Sequence, residues 1–449
     1  MKWQDKYTPV IGLEVHAELK TDSKMFCGCV NDPFGAEKPN SYTCPVCLGM
    51  PGGLPVPNKK AIEWTLKIGL ATDCQINNFS KFDRKHYFYP DLAKGYQISQ
   101  HDLPFCYNGH LSTSEGIVDI TRIHLEEDTG KLLHKTIQDK KITLIDFNRS
   151  GVPLVEIVTE PNITSGAQAK EFGKKLRQLL RFLEVADCDM EQGGMRLEAN
   201  ISLRKIGETD LPPYKVEVKN INSFRFMEQA IDFELERQAT LLEAGQVPTQ
   251  ETRGWDSVKN KTFAQRSKEE AEDYRYFPEP DIPPFTFEKS YLEKLRETLP
   301  KLPEAQAEKW QAELDLPLDL INRVLIIHNS QVKLDRLNEI LAELKSQDLN
   351  LINFFNDLVN KKIKVSIQKD AKQTILEFRK LHDTETIDQT ELNNIMQTVL
   401  KNNQDAVIKY QAGQTQVMGF LIGQVMKNIN KKIDPKIVRQ TLQTALEAD

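Results

Sequence analysis

Four cysteines near the N-terminus, Cys27, Cys29, Cys44 and Cys47, form two close pairs with fourteen residues between them. Thiolates at this knuckle spacing suit a tetrahedral Zn2+, and Gly28 and Pro45 permit the tight turns around it. Four thiolates close the coordination sphere, so the expected metal is structural and not catalytic. A second chemical group is acidic. Glu126, Glu127 and Asp128 follow the stretch Ile120–Leu125, and three successive carboxylates need a cation or solvent. Glu14 and His16 stand two residues apart at the end of Val10–Val15. On a strand their side chains share one face. Carboxylate oxygens suit a hard divalent cation. Imidazole is a less typical ligand for it, so His16 either binds or orients.

Arg84 and Lys85 adjoin Tyr87, Phe88 and Tyr89. Such a run can hold phosphate charge and stack a base or ribose, or it can be an ordinary half-buried strand. The segment Asp146-Phe147-Asn148-Arg149-Ser150-Gly151-Val152-Pro153-Leu154 reads as a strand ending at Phe147, a turn through Ser150-Gly151 and a strand restarting at Leu154. Asn148, Arg149 and Ser150 then sit at a turn, where polar groups can face a ligand. Arg275 and Tyr276 precede Pro278-Glu279-Pro280-Asp281, a rigid stretch that either brings Glu279 and Asp281 to a cleft rim or closes a domain. No G-x-x-x-x-G-K-[ST] loop occurs, so ATP would rest on carboxylates and Mg2+. An N-terminal nucleophilic Cys, a Cys/His glutaminase pair and an amidase Ser–Ser–Lys set are not evident either. Release of ammonia from glutamine by this chain alone is therefore not expected.

These groups need a scaffold. At 449 residues the chain is long enough for two or three domains. Val10–Val15, Ile117–Leu125, Ile142–Phe147, Val152–Val158, Ile201–Leu203 and Val216–Val218 read as strands. Ala61–Thr72, Ala167–Leu183 and Phe226–Ala244 carry apolar residues at helical spacing, the second with a capped start near Asn162–Ser165. The fold class expected for residues 1–294 is α+β, a mixed α/β catalytic region without a regular βα repeat. Beyond the Pro-rich Phe277–Phe285 an all-α domain, 295–388, and a small all-α tail, 389–449, are expected. Leu334–Leu344, Leu349–Val359, Ala371–Leu381 and Glu391–Leu400 read as helices, with Asp383–Thr390 as linker. In the tail Val417, Phe420, Leu421 and Val425 read as one apolar face, and Gly419 and Gly423 as a notch for a neighbouring helix.

The net charge of −6 argues against general coating of nucleic acid. Lys401–Asp449 nevertheless holds seven basic and four acidic residues, which suits either a solvated helical face or an RNA contact. The N-terminus lacks the layout of a leader peptide, and no apolar run nears the roughly 18 residues of a membrane span. The remaining cysteines, Cys74, Cys106 and Cys188, are scattered and odd in number. A reducing, cytoplasmic setting is expected.

An ordered series of segments covers most of the chain: Ile11–His16, Phe82–Asp91, Tyr96–Gln100, His124–Lys131, Asp146–Val158, Met190–Ser202, Glu217–Phe224, Tyr274–Asp281 and Gly419–Lys427. The series resembles the B subunit family of the tRNA-dependent amidotransferases. His86, Ala93, Gly194 and Glu198 depart from the family's usual Asn, Pro, Ser and Asp. The resemblance implies a ligase that forms a carbon–nitrogen bond with glutamine as amido donor. Its substrates would be Glu-tRNA(Gln), Asp-tRNA(Asn) or both. It places Glu14, His16, Glu126, Glu127 and Glu217 around Mg2+ and the γ-phosphate, with Glu14, His16, Glu127 and Glu217 as the Mg2+ ligands and Lys85 as a further catalytic group. Arg84, Tyr87, Asn148, Arg149, Ser150, Lys219, Asn220, Arg275 and Tyr276 would serve ATP or substrate. The implied partners are an amidase-type A subunit that sends ammonia through a tunnel and a small C subunit, in a heterotrimer. Lys427, Lys431, Lys432 and Lys436 would contact tRNA phosphates. Two other readings fare worse. A zinc-bearing RNA-binding protein without catalysis leaves the acidic cluster unexplained, and an aminoacyl-tRNA synthetase needs His-x-Gly-His and Lys-Met-Ser-Lys-Ser motifs that the sequence lacks.

Overall fold

A computed structural model of the protein describes residues 2–267, 274–382, 388–429, 433 and 435–447. The chain divides into two compact units, Met1–Leu334 and Asp335–Asp449.

The first unit contains strands β1 (Tyr7–Glu18), β2 (Gln75–Ile76), β3 (Phe79–Ser80), β4 (Asp83–His86), β5 (Tyr96–Ser99), β6 (Cys106–Thr113), β7 (Gly116–Glu127), β8 (Lys131–Ile137) and β9 (Lys140–Asp146). They are followed by β10 (Pro153–Thr159), β11 (Met195–Lys205), β12 (Val216–Ile221), β13 (Glu251–Asp256), β14 (Lys261–Ser267), β15 (Phe277–Pro278) and β16 (Phe285–Thr286). Helices α1 (Lys59–Ala71), α2 (Gly166–Phe182) and α3 (Phe224–Glu243) interrupt the strands. Then come α4 (Lys289–Glu297), α5 (Pro303–Leu314), α6 (Leu318–Ile327) and α7 (Gln331–Ser346), the last of which spans the division between the units. The expected α+β region followed by helices is what the structure has.

Nine strands form the main sheet in the order β14-β13-β12-β11-β1-β10-β7-β6-β2. Neighbours run antiparallel except β12 and β13. β1 alternates apolar and polar side chains from Leu13 to Glu18. Ile11, Leu13, Val15 and Ala17 of β1 are buried in one core with Phe172, Leu176 and Leu180 of α2 and Met227, Ile231 and Leu235 of α3. Each large apolar side chain buried there contributes roughly 1.5–3 kcal/mol. A one-residue slip of β1 would exchange that whole row for Glu14, His16 and Glu18, so the apolar face fixes the register. Caps fix the helices: the side chain of Ser165 accepts from Gln168 N, that of Ser223 from Phe226 N, and that of Asn58 from Lys60 N and Ala61 N.

Smaller elements flank the polar face. β4 pairs with β5 and β15, and β3 with β16. The β8–β9 hairpin is inserted between β7 and β10, so the expected strand before the Asn148 turn exists but pairs with β8 and not with β10.

The second unit continues with α8 (Leu351–Val359), α9 (Ala371–His382), α10 (Gln389–Asn402), α11 (Gln404–Gln411), α12 (Val417–Asn428) and α13 (Pro435–Glu447). Within the expected linker, 383–387 lie outside the described residues; Asp388 caps α10, its side chain accepting from Thr390 N and Glu391 N. Leu392, Met396, Met418, Leu421, Val425, Val438 and Leu442 share one core. Two tail expectations are corrected. Phe420 is half exposed and Met418 takes its place in the core, because 418, 421 and 425 lie on one helical stripe and 420 is rotated off it. A Cβ at Gly419 or Gly423 would meet nothing within 4 Å, so among the described residues no helix packs into that notch. Among the described residues no helix is long and apolar enough to cross a membrane.

Candidate active site and zinc knuckle

The polar face of the main sheet collects charge in rows. His16 on β1 lies opposite Glu156 on β10, which lies opposite His124 on β7. His16 Nε2 is 3.3 Å from Glu156 Oε2 and 3.9 Å from Glu126 Oε1. His124 Nε2 is 3.2 Å from the same Glu156 oxygen and 3.6 Å from Glu126 Oε2, to which Ser99 Oγ also donates at 2.9 Å. Two residues back along β1, Glu14 joins Glu198 of β11 and Glu217 of β12. One ligand oxygen from each of the three lies within 4.8 Å of the others, as do donor atoms of His16, Glu126 and Glu156. Asn200 Nδ2 donates to Glu14 at 2.8 Å and Thr252 Oγ1 to Glu217 at 2.8 Å, while Lys219 Nζ is 3.0 Å from Glu198 and 3.5 Å from Glu217.

Burial opposes every charge here, so partners decide the outcome. Burial disfavours the His16 imidazolium, but Glu156 and Glu126 outweigh it and raise the group to about 9. Burial likewise opposes the Glu156 charge, yet His124 and His16 hold its carboxyl well below the usual range. Glu14 is pushed above the ordinary value by burial first and then by Glu156 and Glu198. This face is short of positive charge. Hard oxygen donors from three strands, converging where a carboxylate resists ionisation, fit a divalent cation such as Mg2+. Lys85 overlooks the same carboxylates: burial works against its ammonium, and Glu126 and Glu156 more than offset this. Its Nζ lies 4.8 Å from the Tyr274 ring centre and 5.7 Å from that of Tyr87.

Beside this face stands the knuckle. Sulfurs of Cys27, Cys29, Cys44 and Cys47 lie within 4.8 Å of one another; four thiolates about 2.3 Å from a zinc ion would be spaced by about 3.8 Å. A hydrogen bond with Cys27 leads the causes that lower the Cys47 thiol to about 5, against burial and with help from Cys44 N and Lys24. Lys24 is fully buried, its Nζ donating to Tyr42 O at 2.7 Å and Phe147 O at 3.3 Å and lying 3.9 Å from Cys47 Sγ. The donor set and this counter-charge suit Zn2+. The Asn148 turn grips the knuckle. Asn148 Oδ1 accepts from Tyr42 N at 2.8 Å, Asn148 Nδ2 donates to Lys38 O at 2.8 Å, and Ser150 Oγ donates to Cys47 O at 3.0 Å. Arg149 donates to Thr129 O and Gly130 O at 3.0 and 2.7 Å. Gly151 has φ +83°, which a side chain rarely adopts, and a Cβ there would lie 3.4 Å from that of Cys47. Asn148 and Ser150, expected toward a ligand, are thus buried against the knuckle.

A family model described as the GatB/GatE catalytic domain matches residues 9–293, and one described as the GatB domain matches 295–446. The chain is 42% identical to the B subunit of the aspartyl/glutamyl-tRNA(Asn/Gln) amidotransferase of Caldicellulosiruptor bescii, over 98% of this chain and 99% of that protein. It is 41% identical to the B subunits of Caldicellulosiruptor saccharolyticus, over 98% and 99%, and Persephonella marina, over 98% and 100%. The chain belongs to this family.

Among the residues the family resemblance singles out, the fold joins Glu14 with Glu217 and His16 with Glu126. It sends Glu127 elsewhere. That carboxylate pairs with Lys94 and accepts from Ile98 N at 3.0 Å, because successive residues at the end of β7 face opposite ways. Gly49 of the knuckle packs on Lys94, where a Cβ would come within 2.7 Å of its Cγ. Asn220 has φ +63° at an irregularity where β12 gains a residue against β11, a bulge that Asn tolerates. Tyr87 OH donates to Gln97 Oε1 at 3.4 Å, Tyr276 stacks on His101 at 4.2 Å, and the Arg275 carbonyl lies 3.2 Å from His86 Nδ1. Arg84 is bonded through two nitrogens to Glu279, at 2.7 and 2.9 Å, and lies 3.3 Å from Asp281. Since the Glu279 side chain is fully buried, Arg84→Met should strand a carboxylate and destabilise the first unit by about 3 kcal/mol, read as a lower urea midpoint.

Sequence reasoning missed Glu156 and His124 as site residues and noted Glu198 only as a departure. Period-two alternation from Glu126 would have found His124, whereas Glu198 needed the pairing of β1 with β11, and Glu156, in an apolar run, that of β10 with its neighbours. In the tail, Lys427 and Lys436 are exposed; Lys431 and Lys432 lie outside the described residues.

Proposed function

We propose that this chain is the subunit that activates and amidates the aminoacyl end of misacylated tRNA, Glu-tRNA(Gln) or Asp-tRNA(Asn), in a cytoplasmic complex. The carrying observation is the pair of adjoining acidic groups, Glu14–Glu198–Glu217 and His16–Glu126–Glu156, on one face of the sheet beside Lys85. A free side-chain carboxylate is a poor acyl donor because oxide would have to leave. Transfer of the γ-phosphoryl of ATP to that oxygen turns it into phosphate, a good leaving group. Attack by ammonia then gives the amide and inorganic phosphate.

Glu14, Glu198 and Glu217 would hold Mg2+ at the nucleotide, and His16, Glu126 and Glu156 a second cation at the reacting carboxylate. Bound there, divalent cations neutralise charge on the phosphates and polarise the acyl oxygen. Lys85, fixed by Tyr87 and Tyr274, offers positive charge at the same place. Lys219 bridges Glu198 and Glu217. Cys27, Cys29, Cys44 and Cys47 would hold a structural Zn2+. Water must be kept out, since it would return the acyl phosphate to the acid. An amidase-type A subunit would supply ammonia and a small C subunit would complete the heterotrimer. The test is amidation of each misacylated tRNA by the reconstituted complex. ATP consumption dependent on charged tRNA, with amide formation on at least one of the two, is the expected result; ATP-independent RNA binding without turnover would overturn the proposal.

The helical tail from about residue 389 is proposed to grip the tRNA body through Lys427, Lys431, Lys432 and Lys436. Truncation after Asp388 is expected to raise KM for charged tRNA roughly tenfold or more and to flatten its salt dependence, with kcat at saturating tRNA largely kept. A collapse of kcat that excess tRNA does not rescue would exclude a grip role.

A further inference from the structure

We infer that His124 is a positioning residue for the His16–Glu126–Glu156 cation site, holding its two carboxylates in the arrangement that binds the ion. The inference rests on the cation reading given above and adds a residue to it. His124 lies on β7 two residues before Glu126, so both face the same way, and directly across the ladder from Glu156. Its ring is buried, with Nε2 3.2 Å from Glu156 Oε2 and 3.6 Å from Glu126 Oε2. It therefore touches both carboxylates through one nitrogen. His16 reaches the same Glu156 oxygen from the opposite strand at 3.3 Å.

The two histidines are not equivalent. His16 belongs to the group whose ligand atoms lie within 4.8 Å of one another, and His124 does not. His124 faces the same two carboxylates from β7, at 3.2 and 3.6 Å. Its Nε2–H fixes which lone pairs of Glu126 and Glu156 remain for the ion. Groups that orient ligating carboxylates commonly matter about 10–100-fold in metal affinity. A plain packing role accounts poorly for the ring. Its Nδ1 is buried with no hydrogen-bond partner, a cost that an apolar side chain of similar size would avoid.

The test is Mn2+ binding to the full-length chain, followed by electron paramagnetic resonance, with thermal melting in the same buffer. Loss of one class of bound Mn2+ in H16A identifies the His16 site, and loss in E217Q identifies the Glu14–Glu198–Glu217 site. H124F is expected to weaken Mn2+ about 10–100-fold at the first site and to leave the second unchanged. H124Q, whose amide can donate in place of Nε2–H, is expected to recover most of the affinity. H124N, one carbon shorter, should not. This contrast between Gln and Asn decides the matter even if H124F fails to fold. Equal affinities in folded H124Q, H124N and wild type would overturn the inference, as would equal weakening in H124Q and H124N. A wild-type chain with no Mn2+ at the His16 site would instead overturn the cation reading beneath it.

Discussion

Glu156→Gln is expected to stop phosphorylation of the misacylated tRNA almost completely while tRNA affinity stays within about twofold, since the proposed RNA contacts are the lysines of the tail and not this face. Glu156 is the middle of the row His16–Glu156–His124 and the acid that both imidazoles approach most closely, at 3.3 and 3.2 Å. The two rings hold its carboxyl well below the usual range against burial, so it is ionised wherever the enzyme works. Glutamine keeps the volume and one acceptor oxygen but removes the charge. A divalent ion at His16 and Glu126 would then lose one of its two anionic ligands. If that costs about 4 kcal/mol of transition-state stabilisation, turnover falls roughly a thousandfold. The measurement is release of ADP dependent on charged tRNA, with trapping of the acyl phosphate by hydroxylamine. Retention of a tenth or more of the wild-type rate would remove Glu156 from the site. Glu14→Gln and Glu217→Gln should also reduce the rate, each through the nucleotide side, and should raise KM for ATP as Glu156→Gln does not.

Much of this face was legible beforehand. Glu14, His16, Glu126 and Glu217 stand in or next to β-like stretches, and the structure brings His16 beside Glu126 and Glu14 beside Glu217. Glu156 was not legible. It lies in Pro-Leu-Val-Glu-Ile-Val, a run that reads as uniformly buried, and only its pairing with His16 and His124 gives it a partner. Glu127 illustrates the opposite case. Adjacent acids look like one cluster in sequence, but neighbouring side chains on a strand diverge, and Lys94 takes Glu127. Asn148 and Ser150 were correctly placed at a turn, but a turn has two sides, and the knuckle occupies theirs.

Element type followed the same rule. α2 and α3 carry long amphipathic periods and Ser caps, and they appear within a few residues of where periodicity puts them. β13 and β14 were missed, because Glu251–Asp256 and Lys261–Ser267 are polar strands at one end of the sheet whose pairing is set by contacts with β12 and each other. The composition change after Phe285 marks where strands give way to helices. The compact units divide later, within α7, since α4 still packs through Leu295 into the sheet core.

Cys44→Ser is expected to release zinc and to lower the melting temperature of the first unit by roughly 6–12 °C, taking a loss of about 3 kcal/mol and the usual 2–4 °C per kcal/mol for large domains. The effect should exceed that of any single apolar truncation nearby, because three bonded layers depend on the knuckle. Cys47 Sγ lies 3.9 Å from Nζ of the fully buried Lys24. Lys24 holds the carbonyls of Tyr42 and Phe147. Asn148 and Ser150 then carry the order into the turn where Gly151 N donates to Asp128 O at 2.9 Å and Asp128 N to Val152 O at 2.8 Å. The Gly151 and Asp128 amides should therefore exchange hydrogen much faster in Cys44→Ser than in wild type, while amides of α3, on the far side of the sheet, should not. Turnover well below the melting point should fall less than stability does, since none of the four cysteines reaches the carboxylate groups of the sheet. Scanning calorimetry with and without a chelator, beside metal analysis, provides the check. A chelated wild-type chain with unchanged melting, or a Cys44→Ser variant that keeps its zinc, would show that the four thiols are ordinary buried cysteines.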